Sequence, residues 1–281
     1  MKRKIGIGFF CLLTSVLCPL ISVRAAEPLV PDKALDAAIK ANLPHHKGDL
    51  TEQALGNLYF LDANRKGIAS LAGLEKCPNL MEVRLADNQI ADLKPLAGLK
   101  NLQSLTLSKN QIADLAPLRE LTKLQYLELT DNKVTDLGPL AGLTALASLY
   151  VSGNQIADLG PVADLTKLAS LSAGRNQIKD AGPVAKLARL TTLDLHDNQI
   201  ADVAPVAKLH ELSLLMLSKN KIADLAPLVE ACKADAAGPK RFAPYLRLYL
   251  AGNPVLTDAA KKDQLDALKA AGVRLEDVAK P

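Results

Sequence analysis

The sequence predicts an α/β repeat solenoid: a right-handed coil with a parallel β-sheet on its concave face, short helical or 3-10 turns on its convex side, and helical caps at both ends. Three observations predict it. Between residues 80 and 229 one sentence is written seven times at an unvarying 22-residue spacing, and a fixed period in this range marks units that stack into a coil. Within each copy a short stretch alternates apolar and polar residues, the period of a strand. Each copy also carries too few leucines to form a core alone, so it must bury them against its neighbours.

The copy LQSLTLSKNQIADLAPLRELTK, which starts at Leu102, justifies each element in turn. Leu105 and Leu107 alternate with Thr106, which turns leucines inward and Ser104, Thr106 and Ser108 outward. The chain must then round a corner whose buried backbone groups need partners. Asn110 carries donor and acceptor on a short side chain. With Asn88, Asn132, Asn154, Asn176, Asn198, Asn220 and Asn253 it is expected to form a hydrogen-bonded ladder along the coil. The second half of each copy reads I-x-D-L-x-P-L-x-x-L. Pro95, Pro117, Pro139, Pro161, Pro183, Pro205 and Pro227 fix φ and lack a donor, which argues against a long α-helix there. The preceding aspartates, Asp92, Asp114, Asp136, Asp158, Asp180, Asp202 and Asp224, suit a turn or the N-cap of a short helical turn. Calcium needs about six to eight converging oxygens, so one carboxylate per turn predicts capping and no metal.

The unit L-x-x-L-x-L-x-x-N, continued as N-x-I-x-D-L-x-P-L, resembles the internalin-like class of bacterial leucine-rich repeat proteins. The likeness spans the repeats and, more loosely, both flanks. It implies the solenoid, a helical N-terminal cap, and a closing segment of the kind written here as DQLDALKAAGVRLE. It does not choose a ligand, because sites are grafted on folds.

From the start of the chain, Lys2, Arg3 and Lys4 precede an uncharged apolar run over 5–23, which Arg24, Ala25 and Ala26 follow. That order is a secretory signal, so residues 1–25 are expected to be a signal peptide and the protein exported: secreted, periplasmic or at the cell surface. A retained leader would be long enough to anchor in a bilayer, against which Pro19 argues; bulky residues before Cys11 and Cys18 argue against a lipoprotein. Without the leader, thirty basic residues face thirty acidic ones. No basic footprint for nucleic acid or an anionic membrane remains, and no membrane insertion is expected after cleavage.

Residues 26–57 are expected to form the N-terminal cap. Leu35, Ala38, Ile39 and Leu43 share one helical face between Pro31 in its first turn and Pro44 at its end, and a second short helix starts near Thr51. His45 and His46 lie between the two helices with no third ligand nearby in sequence, so no metal is assigned to them. The repeats fill 58–256 as eight 22-residue copies and a final partial one. The first is degenerate, with Lys66 at the ladder position and Cys77 in a leucine slot. The copy from Leu168 is thinned by Ala173 and Ala181, and Gly174 adds backbone freedom, which predicts a soft turn. An insertion at about 231–244 reads as a loop on which Cys232 is free to be exposed. Cys77 and Cys232 stand about 33 Å apart by strand spacing, too far for a disulfide. Residues 257–281 are expected to close the coil as a C-terminal helical cap.

Counting from the strand positions fills the outward face. The central outward row is Asp62, Arg84, Thr106, Glu128, Tyr150, Ser172, Asp194, Met216 and Tyr249. The row before it is Phe60, Glu82, Ser104, Tyr126, Ser148, Ser170, Thr192, Leu214 and Arg247. Aromatic residues make up only 3% of the chain, yet Phe60, Tyr126, Tyr150 and Tyr249 all project here, and with arginine they are the residues that dominate interfaces. Tyr126, Glu128 and Tyr150, on adjacent strands, are the expected hot spot; Leu214 and Met216 form a second, apolar patch. In LDLHDN, His196 between Asp194 and Asp197 suggests an oriented base. A base needs a nucleophile or a substrate proton within reach, and Ser172, Thr192 and Ser218 are serines and threonines of a kind found all along the face. With no oxyanion nest, phosphate loop or metal triad, no catalytic residue, metal or cofactor is assigned.

The ligand-binding candidates are therefore Phe60, Arg84, Tyr126, Glu128, Tyr150, Asp194, His196, Met216, Arg247 and Tyr249. The expected function is an exported, monomeric binding module that recognises a protein or glycan ligand through its concave sheet. The alternative is a structural or scaffolding protein of the cell envelope, acting by self-association or flank contacts. No immunoglobulin-like adaptor or wall-sorting tail follows the repeats in these 281 residues, which sets this expectation apart from host-cell adhesion.

Overall fold

In the computed structural model, which describes residues 28–43 and 45–277, ten parallel strands follow one another in chain order within one sheet. The expected leader at 1–25, the helix-ending Pro44 and the last four residues lie outside the described residues. Nine strands keep the 22-residue register or its shifted continuation: β1 (Phe60–Asp62), β2 (Glu82–Arg84), β3 (Ser104–Thr106), β4 (Tyr126–Glu128), β5 (Ser148–Tyr150), β6 (Ser170–Ser172), β7 (Thr192–Asp194), β8 (Leu214–Met216) and β9 (Arg247–Tyr249). Leu105 sits beside Val83 and Leu127, and the same pairing continues to Leu215 beside Leu248. These central residues are fully buried. Their neighbours on each strand therefore stand on the outward face, as the alternation predicts.

The corners explain why the register does not slip. Asn110 is buried, and its Nδ2 donates to the carbonyls of Leu107 at 3.0 Å and, one turn back, of Leu85 at 2.9 Å. Its Oδ1 accepts from the N–H of Ile90 at 3.0 Å, again in the preceding turn. Asn132, Asn154, Asn198 and Asn220 repeat these contacts. One side chain thus closes its own corner and ties it to the corner before. The residue ahead of each asparagine is left-handed: Asp87, Lys109, Asp131, Arg175, Asp197 and Lys219 have φ between 53° and 59°. Such a backbone persists in a non-glycine residue only when its surroundings over-determine it.

On the convex side, each aspartate accepts from the N–H two residues on, as Asp114 does from Ala116 at 2.8 Å and Asp158 from Gly160 at 2.6 Å. These are turn contacts; the residue at the cap of the following 3-10 turn is the intervening leucine in four of the turns, for example Leu115 before Ala116–Leu118, but Ala181 and Pro205 in two others. Helix α1 (Lys33–Ala41) starts two residues after Pro31, because Asp32 is its N-cap. Asp32 Oδ1 accepts from Ala34 and Leu35, while Oδ2 accepts from Ala69 and Ser70 of the first repeat. At the other end of α1, Asn42 exchanges two hydrogen bonds with the backbone of Asp62. Its amide takes the place of a further strand and covers part of the sheet's open edge. Helix α2 (Glu52–Gly56) is capped by Thr51.

The C-terminal end departs from expectation twice. The insertion is not all loop: α3 (Ala226–Ala237) replaces the 3-10 turn, with Pro227 in its first turn, where the missing N–H has no intrahelical partner to lose. Cys232 accordingly faces the core and is fully buried, and burial, followed by the charge of Asp235, pushes its thiol up to about 12. Cys77 is likewise buried and both thiols are free. The closing cap is more than helix. After α4 (Lys262–Ala270) the chain turns at Gly272, with φ 97°, and β10 (Arg274–Leu275) pairs with β9 as a tenth strand.

Asparagine 154 tests the ladder. Asn154→Ala leaves the buried N–H of Val134 unpaired and takes one donor from each of the carbonyls of Leu129 and Val151, which keep Asn132 and Asn176. An unpaired buried group costs about 1–3 kcal/mol and each lost bond about 1 kcal/mol. Urea unfolding should show a loss of about 3 kcal/mol, against less than about 0.5 kcal/mol for Gln111→Ala at an exposed position. Equal losses would contradict a ladder.

Two carboxylates make stability depend on acid. Burial raises the pKa of Asp32, but four backbone N–H groups outweigh it and hold the carboxyl below its ordinary value. Asp235 behaves likewise: burial raises its pKa, and the N–H groups of Arg241, Ala243 and Phe242 with the charge of His210 bring it down. Because folding depresses both values, their contribution is complete above the unfolded aspartate pKa of about 3.9 and is lost as pH falls through the lower folded values. The urea midpoint should decline in that acid window and flatten in an Asp32→Asn/Asp235→Asn double variant. An unchanged acid slope in that variant would assign the loss to other groups.

Candidate binding face

Because each strand contributes two outward side chains and neighbouring strands lie about 4.8 Å apart, the sheet presents a two-row grid. The structure brings the candidate residues together in four groups along it. At the N-terminal end, the Arg84 guanidinium lies 5.2 Å from the Phe60 ring centroid. It pairs with Glu82 at 2.6 Å and approaches Asp62 at 3.9 Å. Tyr59 and Met81, absent from the sequence-derived list, are 55% and 42% exposed beside them. They precede β1 and β2 and adjoin, the Met81 N–H donating to the Tyr59 carbonyl at 2.8 Å. The strand alternation gave no signal for them, since both fall before the first paired residue.

In the middle, the rings of Tyr126 and Tyr150 are 5.5 Å apart and tilted by 43°. The Tyr126 hydroxyl donates to Glu128 Oε2 at 3.0 Å. Partial burial and the adjacent Glu128 carboxylate raise the Tyr126 pKa above its ordinary value, so this hydroxyl stays a donor. Three side chains from two strands thereby form one unit, half-buried and open to the concave side.

The third group is a polar chain across three turns. His196 Nδ1 lies 2.6 Å from Asp194 Oδ1, Ser172 donates to Asp194 Oδ2 at 2.9 Å, and Ser152 and Ser172 hydroxyls are 2.8 Å apart. Gly174 N–H donates to Ser152 Oγ at 3.0 Å. Asp194 is buried and fully engaged. Ser172 gives its proton to the carboxylate, not to the imidazole, so the order is serine–aspartate–histidine and the hydroxyl is not activated by the base. Gly174 has a steric reason as well as the backbone freedom read from the sequence. Its backbone is not left-handed; a Cβ there would stand 2.2 Å from His196 Nδ1, so glycine makes room for the imidazole. Gly153 serves a similar end: a Cβ would meet Asp131, which pairs with Arg175 at 2.7 Å across two turns.

At the C-terminal end, Arg247 donates to Glu276 at 2.9 Å and to the Tyr249 hydroxyl at 2.8 Å, with its guanidinium 5.9 Å from the Tyr249 ring centroid. Met216 lies beside Tyr249 in the register. Asp277 closes this end, accepting from Ser218 and from the N–H of Leu250. Among the described residues, no three His, Cys, Asp or Glu side chains are placed to hold one metal ion, and no helix is long and apolar enough to cross a membrane.

With this geometry in hand, comparison with known proteins is informative. A family model described as leucine-rich repeats in two copies matches at 78–120, 100–142, 122–165, 166–208 and 188–230, over half of the chain. The chain belongs to the leucine-rich repeat proteins. Internalin C2 of Listeria monocytogenes is similar at 37% identity with a TM-score of 0.69, over 73% of this chain and 93% of that one. The protein is thus an internalin-like bacterial member of that family. The functional domain of InlJ from the same organism, described as including a cysteine ladder, shares the fold at 24% identity and TM-score 0.60, over 80% of this chain and 51% of that one. So does the ectodomain of the Arabidopsis thaliana receptor kinase GASSHO1/SCHENGEN3, solved in complex with Casparian strip integrity factor 2 (21% identity, TM-score 0.57, 73% of this chain and 25% of that one). A search of curated proteins finds no match.

Gly174→Ala tests the polar chain. The added methyl group must push the imidazole from its seat on Asp194, at a cost of about 1–3 kcal/mol for overpacking. The His196 Nδ1 hydrogen bond, followed by nitrogen NMR, should be lost while the far-ultraviolet spectrum is kept. A retained bond with unchanged stability would contradict the steric role.

Proposed function

We propose that this chain is an exported, non-catalytic binding module that takes a protein or glycan ligand on its concave sheet. The observation that carries the reading is the placement of Tyr126, Glu128 and Tyr150 as one half-buried unit at the middle of the face, flanked by the short hydroxyl side chains of Ser104, Thr106, Ser170 and Ser172 on the adjoining strands. Large, rigid aromatic groups beside a polar tip are what interfaces use as anchors. Phe60, Arg84, Asp194, His196, Met216, Arg247 and Tyr249 border it along the same surface. Support for export comes from the leader-like order at 1–25, and for a monomer from the caps, which cover both ends of the coil. No cofactor, nucleic acid or metal enters this function. The catalytic alternative is disfavoured because Ser172 donates to Asp194 and is not aligned on His196.

A second reading, a cell-envelope scaffold that self-associates through its flanks, draws on Tyr59, Met81 and Tyr245, all exposed away from the central unit. The two readings separate in one experiment. A cross-linking pull-down from native envelope or medium is run with the parent chain and with a folded Tyr126→Ala/Glu128→Ala/Tyr150→Ala variant. Partners lost only by the variant are the expected result. Identical partner sets, or a mass that rises with concentration, would move function to the flanks.

A further inference from the structure

The two ends of the outward face are built from the same three parts. At one end Arg84 lies over the Phe60 ring and pairs with Glu82. At the other Arg247 lies over the Tyr249 ring and pairs with Glu276. Each is an aromatic face, a guanidinium and a carboxylate. The middle unit has two of the three: the rings of Tyr126 and Tyr150, and the carboxylate of Glu128. Among the described residues no lysine, arginine or histidine forms an ion pair with Glu128, whereas Asp62, Glu82, Asp194 and Glu276 each have a basic neighbour.

We propose that the Tyr126–Glu128–Tyr150 unit receives an arginine or lysine side chain of a protein partner, which supplies the cation that the two end clusters carry internally. This rests on the reading of the concave sheet as the binding surface and names the chemistry of its central contact.

Several observations fit a cation and not simply any polar group. Glu128 accepts one bond from Tyr126 through Oε2, which leaves acceptor capacity on both oxygens for a guanidinium or ammonium group. The two rings stand 5.5 Å apart at 43°, and aromatic rings attract cations within about 6 Å of the centroid. The neighbouring outward side chains Ser104, Thr106 and Ser148 are short and uncharged and do not crowd the unit, and Arg84, the basic group whose charge reaches Tyr126, is held two strands away by Glu82 and Phe60. The two outward rows as a whole hold the carboxylates of Asp62, Glu82, Glu128 and Asp194 against the guanidinium groups of Arg84 and Arg247. A basic partner segment is therefore the complementary one.

The test uses the full chain with tyrosine rings labelled for NMR, titrated with an acetylated Gly-Arg-Gly amide. The controls are the same tripeptide carrying neutral citrulline, one carrying glutamate, and a neutral oligosaccharide. The expected result is movement of the Tyr126 and Tyr150 ring signals with the arginine peptide, weaker by about tenfold with citrulline or in Glu128→Gln, where shape is kept and charge lost. The response should also weaken with added salt. Equal binding of the citrulline peptide, preferential binding of the oligosaccharide, or unmoved rings up to the arginine peptide's solubility limit would each overturn the cation proposal. The pull-down partners supply an independent arm. Partners that the triple variant loses but Glu128→Gln retains at full affinity would also overturn it, while leaving the concave-face reading intact.

Discussion

Everything in this molecule depends on one side-chain amide repeated at the corner of each turn. Asn110 and its equivalents donate to a carbonyl of their own turn and to one in the turn before, and accept from an N–H of that earlier turn. A corner with no asparagine would leave a buried N–H unpaired, among the costlier defects a protein can carry, and strip one of two side-chain donors from each of two carbonyls. The same contacts hold the preceding residue in a left-handed conformation that lysine, arginine and aspartate do not adopt freely. Strand register, the inward leucines and the outward grid all follow from the spacing of these amides.

The two ends must replace what the missing neighbours would have provided. At the start, Asp32 and Asn42 reach from the first helix to the first repeat, one satisfying turn N–H groups and the other the edge strand. At the finish, a two-residue strand and Asp277 do the equivalent work. The caps are specific polar contacts as well as apolar lids.

Much of this was legible in the sequence because a fixed period turns position into geometry. Counting by 22 assigned every residue of β1 to β8 to its face, and the shift after Val229 placed β9. Four things were hidden. The left-handed corner is occupied by arginine, aspartate or lysine in most turns, and only Gly153 and Gly252 hinted at it. The helix over Ala226–Ala237 was masked by Pro227, whose helix-breaking effect vanishes in a first turn. The reason for Gly174 lay 22 residues on, at His196, so no local window contained it; reading the column across adjacent turns would have found the pair. Tyr59 and Met81 were missed because they stand ahead of the strands whose alternation located the others.

The central unit on the face is where the fold's regularity and its chemistry separate. The serines and threonines of the outward rows suit any strand, whereas Tyr126, Glu128 and Tyr150 are not required by the repeat. The most direct test is side-chain oxidative footprinting of the chain alone and in native envelope extract. Tyr126 and Tyr150 should become protected while the 65%-exposed Tyr245 on the flank keeps its reactivity. Protection of Tyr245 with Tyr126 and Tyr150 unchanged would contradict the account.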